Sequence, residues 1–184
     1  MTKYKLLQKI SFPITTKTVF IFRGIPGSGK STLANEIASK TKDDSLVCNA
    51  DQFWCLEDGT YKFNRTKVPQ NHQYCLRKFT RGICEGSDRY NGLDYNIICV
   101  DNTNTAIRLF ATYVDIAQAF GYKVVIITLN ISVKTSMARN THNVPQKTIQ
   151  HMFERLNGRY NHISLEPYCK EHNIEHFIVD NEPK

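Results

Sequence analysis

Five short apolar runs divide this chain, at 19–22, 45–48, 95–100, 122–129 and 177–179, and stretches with apolar residues at helical spacing lie between them. The first run leads through a glycine-rich turn into a helical pattern from Leu33 to Lys40, and the second ends at Asn49-Ala50-Asp51. Asp58-Gly59, with Tyr61 and Phe63 after it, predicts a small hairpin or irregular excursion. Pro69 fits the first turn of a helix reaching about Glu85, with His72, Leu76, Phe79 and Ile83 near helical spacing, and polar residues 86–94 read as a loop. The third run ends in Asp101-Asn102-Thr103-Asn104, where Asn104 or Thr105 can cap a helix to about Phe120 that Gly121 terminates. The fourth run is apolar throughout and reads as a central strand. Short helices follow from Ser132 to Asn140, from Pro145 to about Arg159, and from Pro167.

Strands alternating with helices predict an α/β fold, a doubly wound and mainly parallel five-stranded sheet with right-handed crossovers. Ligands of such sheets gather beyond the carboxyl ends of the strands. Residues 1–17 are basic, lightly patterned and interrupted by Pro13, and read as a lead-in that packs on the domain or stays mobile. Residues 18–184 read as a single domain, long enough to bury a core without staples.

Charge and cysteine usage narrow the setting. The net charge of +7 points to a polyanionic partner, nucleic acid first, although a basic balance also serves solubility. Cys48, Cys55, Cys75, Cys84, Cys99 and Cys169 lie far apart without C-x-x-C or zinc spacing, and several fall on apolar positions. They read as buried free thiols in a reducing compartment. With neither a signal-peptide pattern nor an apolar run of ~18 residues, the expectation is a cytoplasmic protein with no membrane partner, a nuclear location being compatible too.

The candidate chemistry centres on Gly24-Ile25-Pro26-Gly27-Ser28-Gly29-Lys30-Ser31-Thr32, which fits G-x-x-x-x-G-K-[ST] between a strand and a helix. Consecutive backbone N–H groups must turn inward around phosphates there, and Gly24, Gly27 and Gly29 let the backbone approach. All nine positions are therefore candidates for binding ATP. Lys30 suits the β- and γ-phosphates, and the Ser31 hydroxyl suits Mg²⁺. Asp101, at a strand end, matches a carboxylate that holds Mg²⁺ through water, with helix capping as its bland alternative. Asp51 follows the second strand, where a carboxylate can take the proton of an acceptor hydroxyl; otherwise it caps a short turn. Arg139 sits where a lid helix would fold over the transferring phosphoryl group, or it simply faces solvent.

The loop at 24–32, Asn49-Ala50-Asp51, Val100-Asp101-Asn102-Thr103-Asn104 and Arg139-Asn140-Thr141-His142-Asn143-Val144-Pro145 together resemble the polynucleotide 5′-hydroxyl kinases. The resemblance spans roughly residues 18–160 and includes the kinase domains of phage-type end-healing enzymes. It extends to the polynucleotide-kinase-like P-loop domains of certain eukaryotic ubiquitin-ligase-binding proteins, which share the excursion at 58–64 and a helix with His72 and Cys75. It implies a P-loop kinase fold with a short helical lid, a general base at Asp51, a metal-side carboxylate at Asp101 and a lid arginine at Arg139. In the phage-type pattern an arginine three residues after the base holds a nucleic-acid phosphate, whereas this chain has Trp54. Arg65, Arg77, Lys78 or Arg81 could take over that clamp, and Phe53 and Trp54 either stack a terminal base or belong to the core. His72 and His142 stay outside the main site. No D-x-D-x-T pattern accompanies these motifs, so no fused phosphatase is expected.

The reading is an ATP- and Mg²⁺-dependent kinase, with Asp51, Lys30 and Arg139 as catalytic residues, Ser31 and Asp101 on the metal, and nucleic-acid 5′ ends as substrate. Two alternatives remain: a kinase of small hydroxyl compounds such as nucleosides, sugars or antibiotics, and a low-turnover ATP-binding module for nucleic-acid-repair assembly.

Overall fold

The structure, a computed structural model, describes residues 1–10, 12, 14–41, 45–54, 62–84, 95–159 and 164–183. The predicted hairpin at Asp58-Gly59, the loop at 86–94, Pro13 and Cys55 lie outside the described residues.

Each apolar run forms a strand: β1 (Thr18–Arg23), β2 (Ser45–Cys48), β3 (Ile97–Asp101), β4 (Lys123–Asn130) and β5 (Glu175–Asp180). They form one five-stranded sheet in the order β2-β3-β1-β4-β5, parallel at every pairing. The doubly wound α/β expectation therefore holds. β1 occupies the middle and is buried along its whole length, and β4 is interior beside it.

The helices are α1 (Lys3–Lys9), α2 (Lys30–Ser39), α3 (Val68–Cys84), α4 (Ala111–Ala119), α5 (Val133–Ala138), α6 (Gln146–Leu156) and α7 (Leu165–Glu171). Side chains alternate across a strand, so β1 feeds two cores. Val19 and Ile21 pack with residues of α3, α4 and α7, whereas Phe20 and Phe22 pack with Leu33, Ala34 and Ile37 of α2. The N-terminal segment packs on the sheet: Leu6 is buried in the second core, and the Met1 ammonium donates to Ile178 O while Asp180 N donates to Met1 O. Burying one leucine side chain stabilises the fold by about 1.5–3 kcal/mol.

The helix after β3 departs from expectation. A 3-10 turn (Ile107–Leu109) precedes α4, and neither Asn104 nor Thr105 caps it. Both are engaged with β1 instead. Asn104 takes φ 43 and donates through Nδ2 to Phe22 O, while Arg23 donates to Asn104 O and Thr105 O. The Thr105 hydroxyl accepts from Arg155 Nε of α6. Among the described cysteines Cys48, Cys75, Cys99 and Cys169 are buried free thiols and Cys84 is exposed.

Candidate active site

The glycine loop leaves β1 and turns into α2 without a side-chain cap, its Gly29 in the left-handed region at φ 90. The first α-helical bond of this turn runs from Leu33 N to Gly29 O, 3.1 Å, so the N–H groups of the turn before it are available to an anion, as phosphate binding requires. Lys30 is buried beneath the loop, and its Nζ donates to Ile25 O at 3.0 Å and Ser28 Oγ at 3.3 Å. Burial lowers its pKa, while Asp101 and Asp51 act in the opposite direction. Ile25 does not face the cradle. It is fully buried with Ile131 and Ile149, against Val133, Val144 and Met152, and so roots the lid helices α5 and α6 on the loop.

β3 ends in Asp101 directly across from the loop, because Phe22 and Asp101 are register partners and Gly24 N donates to Thr103 O. Asp101 Oδ2 accepts from Asn49 Nδ2 at 2.7 Å, whereas Oδ1 is buried and has no hydrogen-bond partner. Burial raises this carboxyl's pKa; the nearby Ser31 hydroxyl, Lys30 and Asn49 oppose the rise. A buried carboxylate oxygen without a partner beside a serine hydroxyl fits Mg²⁺, which takes hard oxygen ligands and shares them with phosphates. Among the described residues no cluster of three His, Cys, Asp or Glu forms a metal site made of protein ligands alone.

Asp51 stands on a 3-10 turn (Ala50–Trp54) beyond β2, with its side chain exposed. Two asparagines fix that turn: Asn49 Oδ1 accepts from Asp51 N at 2.6 Å, and Asn102 Oδ1 accepts from Ala50 N at 3.0 Å. Asn49 thus bridges the Asp101 carboxylate and the Asp51 backbone. Asp51, Asp101, Ser31, Asn49, Lys78 and His142 all line one cleft of about 580 Å³. Burial lowers the pKa of His72 on α3, and Asp51 opposes this.

The aromatic pair after Asp51 divides. Trp54 is 5% exposed and packs on Phe63 with ring centroids 5.0 Å apart, whereas Phe53 is 38% exposed beside Tyr74. Trp54 is a packing residue here, and Phe53 keeps an open face.

Arg139 closes α5. The lid leans on the loop, since Ser136 Oγ donates to Pro26 O at 2.7 Å and a Cβ on Gly27 would fall 3.0 Å from Arg139 Cβ. Arg139 Nη1 donates to Asn181 O at 3.2 Å, and Asn181 Nδ2 donates to Ser28 O at 2.9 Å. Glu182 accepts from Ser132 N and Thr135 Oγ1 at the start of α5. Sequence reasoning singles out none of Asn49, Asn102, Ser136, Asn181 or Glu182 for these contacts. The one available signal is the asparagine that stands beside each candidate carboxylate, Asn49 before Asp51 and Asn102 after Asp101.

Residues 19–161 match a family described as an AAA domain. The chain belongs to that family. Curated relatives of this AAA-domain chain include the 2′,3′-cyclic-nucleotide 3′-phosphodiesterases of Pongo abelii (29% identical, 60% of this chain, 24% of that protein) and Rattus norvegicus (30%, 60% and 23%). NEDD4-binding protein 2 of Homo sapiens is 25% identical over 73% of this chain and 7% of its own length. The chain spans about a quarter of the phosphodiesterases it matches. Its fold is that of a chain in the Pnkp1/Rnl/Hen1 RNA repair complex (TM-score 0.59, 18% identical, 81% of this chain, 47% of that one). It is likewise that of a chain in the AvrRxo1-ORF1:-ORF2 crystal structure with ATP (TM-score 0.59, 15% identical, 96% of this chain, 58% of that one).

Proposed function

We propose that this chain is an ATP- and Mg²⁺-dependent kinase that transfers the γ-phosphoryl group to the 5′-hydroxyl of DNA or RNA. The observation that carries the reading is the cleft lined together by an exposed carboxylate residue, Asp51, and by Ser31 and Asp101. A site that only bound nucleotide would need no acceptor-side base. The likeness of fold to a chain of an RNA repair complex, and the basic charge of +7, support nucleic acid as the acceptor.

In this reading the loop N–H groups and Lys30 hold the phosphates of ATP and offset charge as it develops on them. Ser31 and Asp101 would hold Mg²⁺, which supplies further neutralisation of the phosphate oxygens. Asp51 orients the 5′-hydroxyl and takes its proton as the new oxygen–phosphorus bond forms and the bond to the β-bridging oxygen breaks, releasing ADP. Arg139, beside Gly27, exchanges its Asn181 contact for the transferring phosphoryl group.

The test is transfer of label from γ-³²P-ATP to 5′-hydroxyl DNA and RNA oligonucleotides, with Mg²⁺ or EDTA, using wild type and Asp51→Asn. Labelled oligonucleotide that requires both Mg²⁺ and Asp51 is expected. ATP binding without label on either oligonucleotide would overturn the reading and direct the search to small hydroxyl acceptors.

A further inference from the structure

A short segment beyond β5 ties the lid to the phosphate loop, and the transfer chemistry makes no use of it. The sheet ladder between β4 and β5 continues past Asp180 by one bond, in which Asn181 N donates to Asn130 O at 3.1 Å. On the loop side Asn181 Nδ2 donates to Ser28 O, so close to the backbone that a Cβ on Gly29 would lie 2.7 Å from that nitrogen. On the lid side the Glu182 carboxylate accepts from Ser132 N and from Thr135 Oγ1. Residues 181 and 182 thus bridge the loop and α5.

Arg139, at the end of α5, is caught in the same bridge. Its Nη1 donates to Asn181 O at 3.2 Å. Its charge also reaches Glu182: the Thr135 hydroxyl, the Ser132 groups and then the Arg139 guanidinium hold that carboxyl below its ordinary value. His142, on the loop after α5, lines the cleft, whereas Arg139 is not among its lining residues. The lid therefore stands over the site while its guanidinium is engaged elsewhere. One exposed hydrogen bond and a solvent-screened charge interaction are weak ties, which the phosphates of a nucleotide at the loop can outcompete.

We propose that Asn181 and Glu182 form a strap that competes with the donor's phosphates for Arg139, so that Glu182 is a positioning residue that limits ATP affinity through that arginine. The proposal takes the role of Arg139 from the kinase reading above and adds the element that sets how readily the arginine is released. Part of the binding free energy of ATP is spent on freeing the guanidinium, and the apparent affinity is lower by the fraction of chains in which it is free.

The experiment measures Mg²⁺-ATP affinity by titration calorimetry, and label transfer to a 5′-hydroxyl oligonucleotide, for wild type, Glu182→Gln, Arg139→Ala, the double variant and the control Glu175→Gln. Glu182→Gln should bind ATP roughly 2- to 5-fold more tightly than wild type, the scale of an exposed charge interaction. Arg139→Ala should bind ATP more weakly, and adding Glu182→Gln to it should change nothing further. Glu175→Gln, which alters an exposed carboxylate of β5 paired with Lys123, should match wild type. A brace needed only for stability would not tighten binding. Unchanged or weaker ATP binding by Glu182→Gln, or tightening that persists alongside Arg139→Ala, would overturn the strap and leave the kinase reading intact. No transfer by chains that bind ATP would overturn the kinase reading instead, with the strap still decided by the affinities.

Discussion

The two halves of the cleft are built in different ways. In the kinase reading the donor half is the contiguous loop 24–32, which meets the cleft at Ser31 and would act mostly through backbone N–H groups presented by a strand–loop–helix turn. The acceptor half is collected from the ends of β2 and β3 and from α3, and held by side-chain bonds across long separations. Asn49 reaches Asp101 across 52 residues, and Lys78 reaches Gln52 across 26. A contiguous loop forms its site once its ends are placed. An assembled one depends on each brace, so a conservative change at a brace acts on chemistry without touching nucleotide binding.

That difference is sharpest in two substitutions with large expected effects. Asp51→Asn should lower kcat by roughly 10²- to 10⁴-fold with the KM for ATP unchanged, as removal of a general base does. Because Asp51 is exposed, stability should stay within about 0.5 kcal/mol of wild type. Lys30→Met should lower kcat by roughly 10²- to 10³-fold and also raise the KM for ATP, since Lys30 belongs to the cradle. Steady-state kinetics with ATP and acceptor varied in turn separates the two patterns; matching patterns would mean that the halves are not distinct. Asn49→Ala comes next. It removes the donor to Asp101 Oδ2 and the acceptor for Asp51 N together, so a fall of roughly 10- to 100-fold in kcat is expected, with a higher Mg²⁺ concentration for half-maximal rate. An Mg²⁺ dependence equal to wild type would show that Asn49 braces the turn alone.

The same contrast explains what was legible in the sequence. The interior strands β3, β1 and β4 show as apolar runs because a parallel sheet buries both their faces, and β1 is buried at all its positions, whereas the edge strands β2 and β5 are only partly buried. The donor loop shows because its chemistry requires glycine at fixed spacing. Asp51 and Asp101 show because a carboxylate ending an apolar run is a visible discontinuity. The braces do not show, since Asn49, Asn102 and Asn181 have the composition of ordinary loops and gain a role only from partners elsewhere in the chain. For the same reason Asn104 and Thr105 read as helix caps although Arg23, Phe22 and Arg155 occupy them. The division of Phe53 from Trp54 follows from which side of a 3-10 turn meets Phe63, and no local pattern specifies that.

A smaller effect tests whether the lid's seat on the donor loop matters apart from backbone strain. Gly27 has φ 71, and an added Cβ would lie 3.0 Å from Arg139 Cβ; Gly121 has φ 74 and nothing within 4 Å of such an atom. Alanine at either position costs about 1–2 kcal/mol of stability through the left-handed backbone. Only Gly27→Ala should also lower the transfer rate, by displacing Arg139 and by adding a Cβ to the phosphate loop. Thermal unfolding and kcat measured on both variants give the comparison. Equal kcat in the two would show that Arg139 tolerates displacement at its root.

The smallest effect is one of pH, and it probes the carboxylate where the two halves meet. Burial holds the Asp101 carboxyl above its ordinary value of 3.8, and Asp51 adds to the rise. The folded protein therefore binds this proton more tightly than the unfolded chain does. By linkage, the group's contribution to stability is most favourable below 3.8, declines as pH rises through the raised folded value, and is constant beyond it. Glu182 acts with the opposite sign: its folded pKa lies below the ordinary 4.5, so its contribution is lost as pH falls. The informative quantity is thus the Tm of wild type minus that of Asp101→Asn, which cancels Glu182 and the other groups that Asp101 does not influence. Without metal this difference should fall as pH rises above 3.8 through the raised folded value and then level off. Mg²⁺ binds the ionised carboxylate, so its addition should raise the difference near neutrality and leave it unchanged at the acid end. A difference that ignores both pH and Mg²⁺ would remove Asp101 from the metal side of the cleft, and leave Ser31 as the protein's remaining ligand there.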